Sequence, residues 1–126
     1  MLRTLCLAAL LVLAMPTFVA AQEGEEFCPN GRTQLDMNDC AGEELARADS
    51  LLNERYQQVL RTLEQHRVEP LRAAQRAWIR FRDAECEFQA SEVAGGSMEP
   101  MVQTLCVARI SRKRAEELER MLSIDG

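Results

Sequence analysis

Histidine occurs once in this chain, at His66, and the five cysteines include no closely spaced pair. A Cys/His zinc site is built from close pairs of ligands, and a serine or cysteine nucleophile needs a base beside it. Metal and nucleophilic chemistry therefore both lack their parts. The acidic residues are spread in the pattern of solvated helix faces, with no carboxylate pair set up for acid/base work. No stretch alternates apolar and polar residues as a half-buried strand does, and there is no repeat and no low-complexity tract. These absences predict an all-α chain that is not an enzyme, holds no metal and uses no cofactor.

What is present begins with a secretory signature. Arg3 precedes an apolar run from Leu5 to Ala14, and Val19-Ala20-Ala21 supplies small residues before a cut point. The run is too short to span a bilayer, so residues 1–21 read as a signal peptide cleaved near Ala21. Cys6 leaves with it and no membrane anchor is expected. Losing Arg3 moves the formal charge from −5 to about −6, which suits neither nucleic acid nor anionic lipid and favours a basic protein partner. The expected location is the periplasm or the medium of a bacterium.

About 105 residues remain, enough for one domain with a modest core. Residues 22–32 are a polar, acidic segment leading into it, and residues 33–122 are the domain. Thr33 is placed to cap a first helix over about 33–66, with Asp36 set against the helix dipole. Its apolar side is Leu45, Ala48, Leu52, Tyr56, Val59, Leu60 and Leu63. Val68-Glu69-Pro70 reads as a break and restart. A second helix over about 69–93 follows, with Leu71, Ala74, Trp78, Phe81 and Phe88 inward and Glu85 in the same stripe. Gly95 and Gly96 make the next turn, Ser97 caps, and a third helix over about 98–122 turns Met101, Leu105, Ala108, Ala115, Leu118 and Leu122 inward. Short links favour antiparallel neighbours, so the fold is a small antiparallel bundle of about three helices.

Cys28, Cys40, Cys86 and Cys106 make an even set in an exported domain and predict two disulfides. Cys86 is about nine residues before the glycine turn and Cys106 about ten after it, which brings them level at 1.5 Å rise per residue. Cys28 then pairs with Cys40. The Cys86–Cys106 bridge would brace the exposed Gly95-Gly96-Ser97 turn, a candidate partner-binding loop that loses little entropy on docking. Asp49 and Glu85 lie beside apolar stripes, within reach of Arg82, Arg112 or Arg114, and a buried carboxylate needs such a partner. Asn53 and Gln75 are candidate hydrogen bonders between helices, and Tyr56 and Trp78 candidate core aromatics.

From about Cys28 to Leu118 the chain resembles the LprI-type family of exported domains, named for a bacterial lysozyme inhibitor. The carriers are Thr33-Gln34, Met37-Asn38 and Cys40, then Ala48-Asp49, Leu52-Asn53 and Tyr56. Leu71-Arg72, Gln75, Trp78, Arg82-Asp83, Cys86, Gly95-Gly96-Ser97 and Cys106 follow. The family's closing Thr, Arg and Leu appear as Ser111, Arg114 and Leu118. The founding type resembles a lipoprotein, whereas this chain has no lipobox at its cleavage site.

The resemblance implies stoichiometric binding of a lysozyme without turnover. Lysozymes are typically basic and work with two carboxylates in a cleft. An acidic inhibitor is steered toward them, but the group entering the cleft should not itself be acidic. Ser97, or an arginine flanked by small residues, meets that condition. The alternative is an envelope interaction or structural module with no effect on lysozyme, for which Val107, Ile110 and Met121, off the main stripe of the third helix, would form an apolar patch.

Overall fold

In the computed structural model, which describes residues 31–124, helix formation begins at Thr33. The expected signal peptide and Cys28, with its expected bridge to Cys40, lie outside the described residues. Thr33 Oγ1 accepts from the Asp36 amide at 3.1 Å, and the Asp36 carboxylate accepts from the Thr33 amide at 3.0 Å and the Arg32 amide at 3.2 Å. This reciprocal capping box satisfies amides that the first helical turn leaves open. Helix α1 spans Gln34–Thr62. It stops where Leu63 and Glu64 turn extended, with ψ of 142° and 147°, and the Thr62 hydroxyl donates to the Val59 carbonyl at 2.9 Å.

Helix α2 spans Gln65–Ala90, a 3₁₀ turn covers Ser91–Val93, and helix α3 spans Glu99–Ile124. The break between the first two helices thus falls at Leu63-Glu64 and not at Val68-Glu69-Pro70. His66 lies in the first turn of α2 instead of at the end of α1. Pro70 sits inside α2, where it has no amide to give the His66 carbonyl. Between α2 and α3, Gly95 takes a left-handed φ of 76°, and a Cβ on Gly96 would come 3.0 Å from the Val93 carbonyl oxygen. The left-handed backbone therefore favours glycine at Gly95, and the close approach to a carbonyl favours it at Gly96. The helix starts at Glu99, so Ser97 lies before the capping position, and the Glu99 carboxylate accepts from the Gly95 amide at 2.7 Å.

Cross-helix contacts fix the directions. Gln34 reaches Met101, Glu44 pairs with Arg112 at 2.5 Å and Arg55 with Glu119 at 3.5 Å, so α1 and α3 run parallel. Arg82 reaches Ser111 and Gln75 reaches Arg114, so α2 runs antiparallel to them. The result is the expected three-helix bundle in up-down-up order. Cys86 and Cys106 are bonded with their Cα atoms 5.5 Å apart, as their equal distances from the turn require. Cys40 is not a free thiol either.

Most of the close backbone approaches run between α1 and α3. The cause is the size of the residues there. Ala41 and Ala48 on α1, and Ala108, Ser111 and Ala115 on α3, are buried to 1% exposure or less. Ala41 and Ala48 are one heptad apart, as are Ala108 and Ala115, so each pair recurs on one face of its helix. Side chains this short let the axes approach. Farther along, Leu52, Val59 and Leu118 form the core with Ala115, with Leu51, Tyr56, Leu63, Leu71, Trp78 and Leu122 packed around them.

Two outcomes follow for stability. Replacing Ala108 with Leu forces the seam apart and should cost about 1 to 3 kcal/mol in denaturant unfolding, whereas Ala73→Leu on the exposed side of α2 should be near neutral. Hydrogen bonds from the Thr33 side chain and backbone hold the Asp36 carboxyl below its ordinary 3.8, and Arg47, with Arg112 adding to it, holds Glu44 below its ordinary 4.5. Such groups favour the folded state above their unfolded values and cease to as pH falls through the lowered folded ones. Their stabilisation should thus be complete above about pH 4.5 and decline below it, and Glu44→Gln should reduce the decline seen by urea unfolding across that range.

Candidate functional site

The face that α2 turns to the bundle mixes polar and apolar residues. Gln75 and Cys86 are buried, and Leu71, Trp78, Arg82 and Gln89 are half-buried. The expected inner residues Ala74, Phe81 and Phe88 are instead exposed, Phe81 at 60% and Phe88 at 72%. At 100° per residue they lie roughly a third of a turn or more from the line through Gln75, Arg82 and Cys86. Apolar identity alone does not reveal which side of this helix faces the bundle.

Two guanidinium groups support that face. The Arg82 carbon lies 5.3 Å from the centre of the Trp78 ring and the Arg114 carbon 5.9 Å from it, both within cation–π range. Arg82 donates to the fully buried Ser111 hydroxyl at 3.1 Å and to Asp83 at 2.8 Å. Arg114 donates to Gln75 at 3.1 Å and to Glu117 at 2.8 Å. A buried hydroxyl or amide costs stability unless bonded, and the two arginines supply partners while covering the indole. Gln75 therefore joins helices as expected, but its partner is an arginine of α3.

The open side of this arrangement is a groove of about 450 Å³ between α1 and α2, lined by Asp49, Leu52, Asn53, Tyr56, Arg72, Gln75, Arg76, Ile79 and Arg82. Five of the residues singled out from sequence, Asp49, Asn53, Tyr56, Gln75 and Arg82, meet here. Trp78 and Arg114 lie on the α3 side of α2. Arg72 and Arg76 were not singled out as site residues. Their signal was available: they stand one helical turn apart, with Arg72 inside the recognised Leu71-Arg72 motif. Asp49 is half-exposed and 4.0 Å from Arg82, so it is a groove wall and not a buried register pair. Three guanidinium groups share the groove with one carboxylate, a phenol and two side-chain amides, and guanidinium groups are donors suited to charge-assisted hydrogen bonds with acidic groups. No serine, cysteine or histidine lines the groove.

The other expected pairs are rearranged. Glu85 accepts from Gln89 at 2.7 Å in its own helix, with Arg109 reaching the same Gln89 at 3.1 Å, and Arg112 reaches Glu44. Gly95, Gly96 and Ser97 are exposed at the end of the α2–α3 hairpin that the Cys86–Cys106 bridge closes. Val107 and Ile110 are half-buried and Met121 is 38% exposed, so the bare apolar surface lies on α2 and not there. Among the described residues no cluster of acidic, histidine and cysteine side chains could hold a metal ion, and no helix is long and apolar enough to cross a membrane.

Fold and groove together define a small helical, disulfide-braced domain. The family described as Lysozyme inhibitor LprI matches residues 28–118, and the chain belongs to that family. An uncharacterized protein of Rhizobium meliloti (strain 1021) is 36% identical over 115 residues, covering 81% of this chain and 83% of the relative. No solved structure matches.

The arginine support makes a direct prediction. Arg82→Ala leaves the Ser111 hydroxyl buried without its donor and should cost about 1 to 3 kcal/mol. Arg82→Lys should recover only part of this, since an ammonium cannot both cover the indole face and reach Ser111. Urea unfolding followed by the fluorescence of Trp78 reads both effects.

Proposed function

We propose that this chain is exported and binds a lysozyme stoichiometrically, without turnover, so that its cell-wall substrate is excluded. The observation that carries this reading is the arginine-lined α1–α2 groove in a member of a family described as lysozyme inhibitors. A lysozyme cleft works through two carboxylates, which calls for a surface that is locally basic on a protein that is acidic overall. Arg72, Arg76 and Arg82 supply the first and the formal charge of −5 the second. Arg76 also has small neighbours, Ala73 and Ala77, which leave it accessible.

The Gly95-Gly96-Ser97 turn is the second contact in this reading. It is exposed and braced, but Glu92 and Glu99 flank it, so it suits the basic rim of an enzyme better than its acidic centre. The groove is accordingly the inhibitory face and the turn an auxiliary one.

Incubating the purified chain with several basic lysozymes while following cell-wall lysis tests the whole reading, and unchanged lysis at large molar excess would overturn it. Reversing charge in the groove with Arg72→Glu and Arg76→Glu together should weaken inhibition by about tenfold or more, whereas Ser97→Ala should have a smaller effect. Inhibition should set in more slowly as salt is raised, because steering between an acidic and a basic protein is screened.

A further inference from the structure

Helix α2 carries a second apolar stripe, and it faces solvent. Pro70, Ala74, Ala77, Phe81, Ala84 and Phe88 recur in alternating steps of four and three residues, the heptad spacing that keeps side chains on one seam. All six are exposed. Phenylalanines at 60% and 72% exposure are a large apolar cost in water for one helix face. The core does not use this stripe, and the groove lies on another side of the same helix.

We propose that this stripe is a homodimer seam, covered by α2 of a second copy of this chain running antiparallel to it. The stripe is self-complementary in size only in that direction. With the two-fold axis near the Arg82-Asp83 peptide, Phe81 lies over Ala84 of the second copy and Phe88 over Ala77 of the second copy. A parallel arrangement stacks phenylalanine on phenylalanine and alanine on alanine, which leaves gaps at every alanine layer.

Charge agrees with the same direction. Arg80 and Glu87 are seven residues apart on one flank of the stripe, and in an antiparallel pair each flank meets itself. Arg80 then stands beside Glu87 of the second copy, and the two-fold repeats the pair. The whole helix is graded in this sense: Arg67, Arg72, Arg76, Arg80 and Arg82 precede Asp83, Glu85 and Glu87. Glu69 is the exception within the basic half, and Arg72 holds it at 2.7 Å. Two copies laid head to tail place basic halves against acidic ones, and that fixes partner and orientation together.

Sedimentation equilibrium of the purified chain with its disulfides intact tests this. The expected result is a dimer that Phe88→Glu weakens by about a hundredfold, with helical circular dichroism unchanged because the residue is exposed. Arg80→Glu and Glu87→Arg, each alone, should weaken the dimer by about tenfold, and the two combined in one chain should restore it. A monomer at every concentration up to about 1 mM overturns the proposal, and crosslinks from Phe81 or Phe88 positions to residues 22–30 or to an added lysozyme would then name the occupant. A dimer indifferent to Phe88→Glu overturns it as well, as does a double charge swap that fails to restore what the single changes remove. Lysozyme inhibition is read separately and does not enter these outcomes.

Discussion

The close approach of α1 and α3 sets the plan of the molecule. Along the first half of their contact, the fully buried residues Ala41 and Ala48 on α1 and Ala108, Ser111 and Ala115 on α3 carry nothing larger than a hydroxymethyl group. Two helices seated this closely leave no space for a third between them, so α2 must lie along their shared flank. The contact there uses large side chains, and these hold α2 farther off. Room for Trp78 and Arg114 on one side of α2, and for the groove lined by Arg82 on the other, is a consequence of that spacing.

The polar residues among those α2 turns inward follow from the same geometry. An arginine held against a bundle must bring its partners with it, because a desolvated charge without them is costly. Arg82 and Arg114 solve this by spending each donor differently: one face toward the indole, one N–H toward a buried oxygen, and another toward a carboxylate near solvent. Such contacts add little net energy beyond what packed apolar residues would supply. They do require one register of α2 against α3, which the Cys86–Cys106 bond pins at its other end. The groove inherits its shape from that register, since Gln75 and Arg82, which reach α3, also line it.

Features decided within a few residues were legible in the sequence. The Thr33 and Asp36 cap, the Gly95-Gly96 turn, and the level placement of Cys86 and Cys106 all follow from local stereochemistry and helical rise. The phase of α2 was not legible, because this helix is apolar on two sides: Leu71 and Trp78 face the bundle, while Phe81 and Phe88 face out. A periodicity that assigns every large apolar residue to the core merges the two stripes and lands between them. Pro70 misled in a similar way, being read as a start when the chain had already entered the helix at Gln65. The motif residues of the family were recognised singly, but their convergence depends on how α1 and α2 are aligned. That alignment is tertiary and leaves no period in either helix.

The distribution of charge connects these points to the proposed role. A formal charge of −5 conceals a helix whose first half is rich in arginine and whose second half is acidic. Long-range steering responds to the total and contact responds to the local set, so one chain can attract a basic protein and still offer guanidinium groups to its carboxylates. An evenly acidic surface would be drawn to the same protein but would meet the cleft with like charge. Arginine on α2 is also the choice that keeps the groove open, since Arg82 is anchored from behind by Ser111 and Asp83 and Arg72 by Glu69. A guanidinium held in place before contact has less rotamer freedom to lose on binding. The hydrogen bonds that help fix α2 in the bundle thus also hold Arg82 in place at the groove.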